Sequence, residues 1–139
     1  MTGKVARTTT HQNAPVVHET VAPIILPWPP AALSPNARGH WSARARAAKR
    51  YRADCWALAK AAKARVDWGG LVALRLNFVP PSSRRRDDDN LVAAFKSGRD
   101  GIADALGIDD SRFVTTFMLA RGRTIKGGAV EVEIGRVVG

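Results

Sequence analysis

The run Asp87–Asn90 places three aspartates and an asparagine directly behind the basic run Arg84–Arg86. A second acidic pair, Asp109–Asp110, begins twenty residues after Asp89. Two like charges 4 Å apart repel each other by about 4 kcal/mol at an effective dielectric constant near 20. The chain as a whole carries a net charge of +10. Carboxylates gathered in this way on a basic chain favour a bound cation.

A hard divalent ion fits this donor set best. Mg²⁺, with Mn²⁺ as the alternative ion, is held by one or two carboxylates together with water and phosphate oxygens. In extended backbone, Asp87 and Asp89 lie on one side, whereas Asp88 points elsewhere and is available to cap the next helix. The alternative, that the triplet only caps a helix whose N-terminus favours acids, remains open. The basic surroundings indicate a phosphate-bearing partner, so the pattern predicts metal-dependent cleavage of a nucleic acid.

The composition limits the class of protein. A length of 139 residues with 45% hydrophobic content suits one globular domain. A pI near 11.0 indicates anionic partners. No apolar run approaches the roughly 18 residues of a membrane span, and the N-terminus lacks the apolar segment of a secretory signal. Cys55 is the only cysteine, which excludes an internal disulfide. We expect a cytoplasmic protein that does not span a membrane.

The chain divides into a flexible tail over residues 1–20 and one domain over residues 21–139. Alternation and turn residues predict a mixed sheet packed by two main helices, an α/β (α+β) class. Val72, Leu74, Leu76 and Phe78 share the buried face of one strand. The predicted strands are 21–26, 71–78, 112–124 and 128–138.

The first predicted helix runs from Ser42 to Ala64 and is rich in good helix formers. Its expected buried stripe has Tyr51 and Leu58 at the margins and comprises Trp41, Ala45, Ala48, Arg52, Cys55, Trp56, Ala59 and Ala62.

The second predicted helix runs from Asp88 or Asp89 to about Leu106. Along one such helix Asp110 would lie about 26 Å from Asp89. Either the backbone returns after the helix or a second subunit supplies its own copy, and spacing alone leaves both open. Lys96 shares a helix stripe with Asp89, where it would meet a bound phosphate. The alternative is a solvated pair of Lys96 with Asp100, worth a few tenths of a kcal/mol.

These motifs together resemble the RusA family of phage and bacterial Holliday junction resolvases. The resemblance rests on Arg85–Leu91, Lys96, Asp100–Ile102 and Asp109–Ser111 in this order. Leu26–Pro30 followed by Asn36 is similar to the family's opening strand and turn, and Phe78–Pro81 to the strand before its acidic motif. The similarity covers roughly residues 24–135, so that residues 21–139 are expected to form a RusA-like endonuclease domain.

The resemblance implies a homodimeric, Mg²⁺-dependent endonuclease that cuts four-way DNA junctions by paired nicks in recombination and repair. It places the metal-binding catalytic acids on Asp87, Asp89 and Asp110. The family's functional lysine falls on Ala93 in the best-known type, and many relatives have it at the position of Lys96 instead. The resemblance therefore implies Lys96 as a fourth catalytic residue, set to offset charge on the phosphate.

Phosphate contacts are expected from a group of basic side chains near the motif and on the first helix: Arg84, Arg85, Arg86, Arg38, Arg44, Arg46, Lys49 and Arg50. For Trp41 and Tyr51, stacking on opened bases competes with burial in the core, and burial is the favoured interpretation. Two other functions remain. One is a non-catalytic basic DNA-binding protein of prophage origin, and the other is a basic scaffold for acidic or RNA partners.

Overall fold

The computed structural model describes residues 16–20 and 23–138. The strands are β1 Val16–Thr20, β2 Ile24–Pro27, β3 Val72–Val79, β4 Phe113–Leu119 and β5 Ala129–Val138. The helices are α1 Trp41–Ala61, α2 Asp88–Ala94 and α3 Lys96–Leu106. Short 3-10 turns at Ala31–Leu33 and Asp110–Arg112 precede α1 and β4.

The five strands form one mixed sheet. β5 is central, with β1 and β2 along one side and β3 on the other, and β4 follows β3. β3 and β4 are parallel, from Val72 opposite Phe113 to Phe78 opposite Leu119. The other pairings are antiparallel. The predicted α+β class with a mixed sheet in one domain is confirmed, although three helices rather than two pack on the sheet.

One face of the sheet carries the core. Val72, Leu74, Leu76 and Phe78 of β3 are buried, as predicted from their alternation. They join Val130, Val132 and Ile134 of β5 and the buried sides of all three helices in one apolar cluster. Arg75 and Asn77 lie on the opposite face of β3, where their neighbours on β5 are Glu133 and Glu131. The helices thus cover only one of the two faces.

Helix α1 matches its prediction in extent but not in its buried stripe. Of the stripe, Cys55 and Ala59 are buried, and Tyr51 is buried although it was expected at a margin. Trp41 is 74% exposed and Trp56 is 44% exposed. Leu58, Arg52, Ala45 and Ala62 are also exposed. A helical period identifies a stripe, but burial depends on what covers it. Helix α1 packs mainly against α3, so only the side chains at that contact and over β2 are buried.

The predicted second helix is divided at Phe95. Phe95 keeps helical backbone angles, and its amide contacts the carbonyls of both Leu91 and Val92. Its ring is 1% exposed and meets Tyr51 and Phe78 edge-on, with ring centroids 6.1 and 5.9 Å apart. Burial of this ring accompanies the interruption. The predicted single helix is therefore two helices, and Lys96 is the first residue of the second one.

Glycine brings α1 and α3 close together. A Cβ atom on Gly101 would lie 2.3 Å from the carbonyl oxygen of Arg52. A Cβ atom on Gly98 would lie 2.7 Å from the Tyr51 ring. The hydroxyl of Tyr51 donates to the carbonyl of Pro27 at 2.6 Å, which ties α1 to β2. These contacts fix the helix layer against the sheet.

Two predicted boundaries differ from the structure. β4 ends at Leu119, so residues 120–124 form a loop instead of continuing the strand. Residues 16–20, assigned to the tail, pair with β5 as β1, and residues 1–15 lie outside the described residues. Across residues 16–20 and 23–138, no helix has the length and apolar character needed to cross a bilayer.

Candidate active site

A cleft of about 1330 Å³ opens at the end of the sheet where β3 and β4 finish. It is bounded by Pro80 and residues 82–89, which follow β3, and by residues 119–124, which follow β4. Asp87, Asp88 and Asp89 all line this space. We call it the aspartate cleft. The expected separation of Asp88 from the other two assumed extended backbone, whereas Asp88 and Asp89 lie in the first turn of α2.

Asp87 is the cap of helix α2. Its Oδ1 accepts hydrogen bonds from the amides of Asp89 at 2.9 Å and Asn90 at 3.4 Å. The prediction that Asp88 is the capping residue is therefore wrong. The cap uses one oxygen of Asp87, and no side-chain hydrogen bond or ion pair to Asp89 is made by the described residues. Asp89 is exposed in the first turn of α2, so its carboxylate is accessible from the cleft.

Arg86 is held by the loop that forms the cleft. Its guanidinium donates to the carbonyls of Ser82 at 2.8 Å and Arg84 at 2.9 Å, and to the Ser82 hydroxyl at 3.0 Å. It also lies over the Trp28 ring, 5.6 Å from the ring centroid. Partial desolvation, with a smaller contribution from the charge of Arg84, lowers the pKa of Arg86. Arg86 therefore shapes the loop, although its position in the cleft fits the prediction of a phosphate contact.

Other arginines of the cleft differ in how they are held. The side chains of Arg84, Arg85 and Arg121 form no hydrogen bond or ion pair within the described residues. Arg123, in contrast, makes a two-point ion pair with Glu131, whose Oε1 also accepts from Asn77 at 2.9 Å. The hydrogen bond from Arg123, followed by that from Asn77, lowers the pKa of Glu131. The first three are thus available for an anionic ligand.

Asp110 lies at the first residue of the turn that leads into β4. Arg99 holds it, with Nη1 3.4 Å from the carboxylate and Nη2 3.1 Å from the backbone carbonyl. The Arg99 Nε also donates to the Thr115 hydroxyl at 3.2 Å. Its neighbour Asp109 caps the turn by accepting from the Ser111 amide at 2.9 Å. Hydrogen bonding to the Ser111 side chain, followed by that to its amide, lowers the pKa of Asp109.

Within one chain, Asp110 does not join the aspartate cleft. The aspartates of the cleft follow the end of β3, whereas Asp110 precedes the start of β4, and the two strands are parallel over seven residue pairs. At about 3.3 Å per residue, the length of the strands separates the two sites by roughly 20 Å. Accordingly, residues 16–20 and 23–138 contain no group of three His, Cys, Asp or Glu side chains placed to hold a metal. The three-acid set implied by the resemblance is not assembled in a single chain.

Lys96 forms the solvated pair that the sequence left as an alternative. Its Nζ lies 3.4 Å from the Asp100 carboxylate, and the Lys96 side chain is 73% exposed. Lys96 is absent from the lining of the aspartate cleft.

The predicted DNA contacts on α1 and in the loop before it form two groups. Arg44 donates to the carbonyls of Ser34 and Leu33, at 3.3 and 3.5 Å, and so holds the turn before the helix. Arg38, Arg46, Lys49 and Arg50 are exposed. Tyr51 is buried, so it cannot stack on a base. Burial also strongly raises the pKa of its hydroxyl group. Trp41 is exposed, and the expectation of its burial is wrong.

Two residues of the cleft, Arg121 and Arg123, were not predicted from the sequence. Both were expected in a long strand, whereas the strand stops at Leu119 and Gly122 adopts a left-handed φ of 72°. The available signal was the short Arg–Gly–Arg sequence after an apolar run, because glycine is the residue that favours such a turn. Trp28 was also missed as the support of Arg86.

No family model matches the chain. The chain is 48% identical over 99 residues to an uncharacterized protein of Xylella fastidiosa (strain Temecula1 / ATCC 700964). The alignment covers 66% of this chain and 62% of that relative.

Proposed function

We propose that this protein is a Mg²⁺-dependent, structure-selective DNA endonuclease that resolves four-way junctions by paired nicks. The observation that carries the proposal is the aspartate cleft, in which Asp87 and Asp89 lie among arginine side chains of a chain with net charge +10. The ordered motif that resembles the RusA family supports the same activity. We expect this role to serve DNA recombination and repair.

The charges of the cleft support a ligand that contains both a cation and an anion. Neither Asp87 nor Asp89 forms an ion pair with the arginines around it within the described residues. Arginine and aspartate side chains that share a cleft without pairing with each other can each bind one part of such a ligand. Carboxylates hold Mg²⁺, and guanidinium groups hold phosphate. The donor set of two carboxylates fits Mg²⁺, which completes its shell with water and phosphate oxygens.

The chemistry divides between the ion and the side chains. Mg²⁺, when bound, polarises the scissile phosphate and lowers the pKa of a water molecule. Asp87 and Asp89 would hold the ion at the start of α2. Arg84, Arg85 and Arg121 would bind the phosphates on either side and keep the strand against the carboxylates. No covalent intermediate is required, because water is the nucleophile.

A homodimer is part of the proposal. A four-way junction has two-fold symmetry, and two symmetric nicks require two related sites. Asp110 remains in the proposed catalytic set as a residue that a second copy of the chain supplies, provided that its ion pair with Arg99 opens. Lys96 remains a proposed contributor only if its pair with Asp100 opens, since that pair occupies it in the free chain.

The test is cleavage of an end-labelled four-way junction with Mg²⁺. We expect wild-type protein to nick opposing strands and Asp89→Asn to lose at least about 100-fold in rate while it still binds the junction. Asp67→Asn is the matched control, because Asp67 is an exposed aspartate whose only ion pair among the described residues is with Arg65 at 3.6 Å. Junctions that stay uncut with both Mg²⁺ and Mn²⁺ would contradict the proposal.

A second candidate is a DNA-binding protein without catalysis. This candidate is favoured because Asp110 lies apart from Asp87 and Asp89 within one chain. The described residues contain no group of three side chains placed to hold a metal ion. It predicts salt-sensitive binding without nicking, and binding that strengthens in the Asp87→Asn/Asp89→Asn double variant because repulsion of phosphate is removed. An endonuclease would instead lose cleavage in that variant.

A further inference from the structure

The N-terminal half of helix α1 contains no buried residue. Within residues 41–50, only Ala47 and Ala48 pack against the core, and both are partly exposed. The first buried side chain of the helix is Tyr51. At about 1.5 Å per residue, the helix extends about 15 Å before it reaches the core. We call residues 38–50, which include the end of the preceding loop, the α1 arm.

The α1 arm extends from the end of the sheet at which the aspartate cleft opens. Tyr51, which follows the arm, donates its hydroxyl to the Pro27 carbonyl at 2.6 Å. Pro27 pairs with Ala129, and Ala129 pairs with Val79, the last residue of β3. The cleft is lined by residues that follow Val79 directly. The remainder of α1 leads to the start of β3 at the other end of the sheet, so the arm lies on the side of the cleft.

The charges of the arm are all of one sign. Residues 20–53 contain no aspartate or glutamate. Arg44 holds the preceding turn, whereas the other basic side chains of the arm form no hydrogen bond or ion pair within the described residues. Two of them stand four residues apart on the helix, where like charges are destabilising. A solvated helix face normally mixes both signs, so the arm favours a polyanion. These other basic side chains are Arg38, Arg46, Lys49 and Arg50.

A tryptophan ring stands among these charges. Trp41 is 74% exposed, more than any other large apolar side chain of the described residues. His40 beside it is fixed as the helix cap, since its Nδ1 accepts from the Ser42 amide at 3.1 Å. The centroids of the His40 and Trp41 rings are 5.4 Å apart, and the rings are tilted by 33°. The indole is thus supported by a held ring and open to solvent.

We propose that the α1 arm binds DNA at a point where a base has left the helical stack, and that Trp41 stacks on that base. Basic side chains alone would suit any polyanion. An open aromatic face beside them suits a flat base that is flanked by phosphate groups. At 100° per residue, Lys49, Arg46 and Arg50 lie within one arc of about 100° that adjoins Trp41. They can therefore meet phosphates on one side of the ring.

This surface gives the proposed nuclease a means of selecting DNA structures. Bases in a linear duplex are paired and stacked, so a side chain reaches a base face only after unstacking. An unpaired base or a branch point offers such a face at lower cost. Trp41 would hold it at the same end of the molecule as the aspartate cleft. The choice of DNA rests on the proposed function, whereas the stacking surface does not depend on cleavage.

Binding without divalent metal tests the surface, because the proposed cleavage requires the ion. The probes are a linear duplex, the same duplex with one unpaired thymine, and a four-way junction. We expect Trp41→Ala to lose about 10-fold in affinity for the second and third probes and less than about 2-fold for the linear duplex. Trp41→Phe should keep most of the affinity, because a phenyl ring also stacks.

Two control variants separate stacking from other effects. Trp56→Ala removes an indole that is 44% exposed farther along the same helix, and it should bind all three probes as the wild-type protein does. Lys49→Ala should lower the slope of log affinity against log salt by about 0.9 on every probe and leave the preference unchanged. The urea midpoint of Trp41→Ala should match that of the wild-type protein, because Trp41 is not part of the core.

Tryptophan emission gives a measurement on proteins that keep an aromatic ring at this position. The emission that wild-type protein has in excess of Trp41→Phe should be quenched by the duplex with the unpaired thymine and not by the linear duplex.

Three results would overturn stacking by Trp41. These are equal losses of Trp41→Ala on all three probes, a loss on the junction no larger than that of Trp56→Ala, and wild-type protein that binds no DNA. A loss confined to single-stranded RNA would also overturn it, since RNA would then be the occupant. If wild-type protein prefers junctions through Trp41 but cuts none with Mg²⁺, the proposed function fails and the stacking surface stands.

Discussion

The two ends of the parallel pair β3–β4 use the same kinds of charged side chain in different ways. Along α3 and the turn that follows it, three of the four acids are in ion pairs: Arg52 with Asp104 at 2.6 Å, Lys96 with Asp100 at 3.4 Å and Arg99 with Asp110 at 3.4 Å. In the cleft, Asp87, Asp89, Arg84, Arg85 and Arg121 form no ion pairs within the described residues.

This difference separates charges that serve folding from charges available for binding. A carboxylate already bound by a guanidinium gains little from a metal ion, because the ion must first displace that partner. Carboxylates and guanidinium groups that share a cleft without pairing keep their full attraction for outside ions. The comparison teaches that the number of acids in a region is less informative than the number left without a cationic partner.

The largest expected effect comes from Gly101→Ala, at the contact that supports the paired end. The new methyl group would lie 2.3 Å from the Arg52 carbonyl, so α1 and α3 must separate. We expect a loss of about 3 kcal/mol in the free energy of unfolding, measured by urea denaturation. Gly69→Ala is the control, because nothing lies within 4 Å of that Cβ, and it should change stability by less than about 0.5 kcal/mol. Equal losses in both would show that the helix contact is not the cause.

The next effect separates two adjacent arginines of the cleft. Arg86→Ala removes hydrogen bonds to two carbonyls and the contact with Trp28, so we expect a loss of about 1–2 kcal/mol in stability. Arg85→Ala should leave stability unchanged. It should instead reduce the slope of log affinity against log salt by about 0.9, the contribution of one phosphate contact. If Arg85→Ala destabilises the fold as much as Arg86→Ala, the division of the cleft into shaping and binding residues is wrong.

A smaller effect tests the paired charge within the cleft. Arg123 and Asn77 hold the pKa of Glu131 below its usual value, so the charged form stabilises the fold. This contribution to stability is complete above pH 4.5, the ordinary pKa of Glu131. It is lost as the pH falls through the lowered pKa that Glu131 has in the folded protein. Glu131→Gln should cost about 1 kcal/mol at pH 7, and this cost should shrink as the pH falls below 4.5. Urea midpoints of both proteins across this range measure the difference, and a constant difference would exclude the ion pair as its source.

The smallest effect concerns Lys96. Its pair with Asp100 is exposed on the lysine side, so Lys96→Ala should change the free energy of unfolding by only a few tenths of a kcal/mol. The informative measurement is junction cleavage by the same variant. A large loss of cleavage with unchanged stability would show that Lys96 leaves Asp100 to act at the phosphate.

The strands of the sheet were predictable where large apolar side chains alternate with smaller or polar ones. Val72, Leu74, Leu76 and Phe78 alternate with smaller or polar residues, and this pattern indicates the strand and its buried face. The break at Phe95 was not predictable, because the sequence around it contains no proline and suits a continuous helix. The kink accompanies the burial of the Phe95 ring against Tyr51 and Phe78, which is a tertiary contact that no local pattern encodes.

The acidic residues of the candidate site were predictable from the sequence, but the arginines that face them across the cleft were not. The motif Asp87–Asn90 is continuous in the sequence, so its chemistry is visible there. Arg121 and Arg123 reach the cleft only because β4 lies beside β3 in parallel register, and that register depends on packing. The same register separates Asp110 from Asp89, which spacing along the chain could not decide.

Trp28 has a consequence for optical measurements. Its ring contacts the Arg86 guanidinium on the side of the cleft and meets Phe78 edge-on, 6.1 Å between centroids, on the side of the core. The fluorescence of an indole beside a charged group depends on the position of that group. The fluorescence difference between wild-type protein and Trp28→Phe is therefore an unlabelled gauge of whether an anion has drawn Arg86 away from the ring.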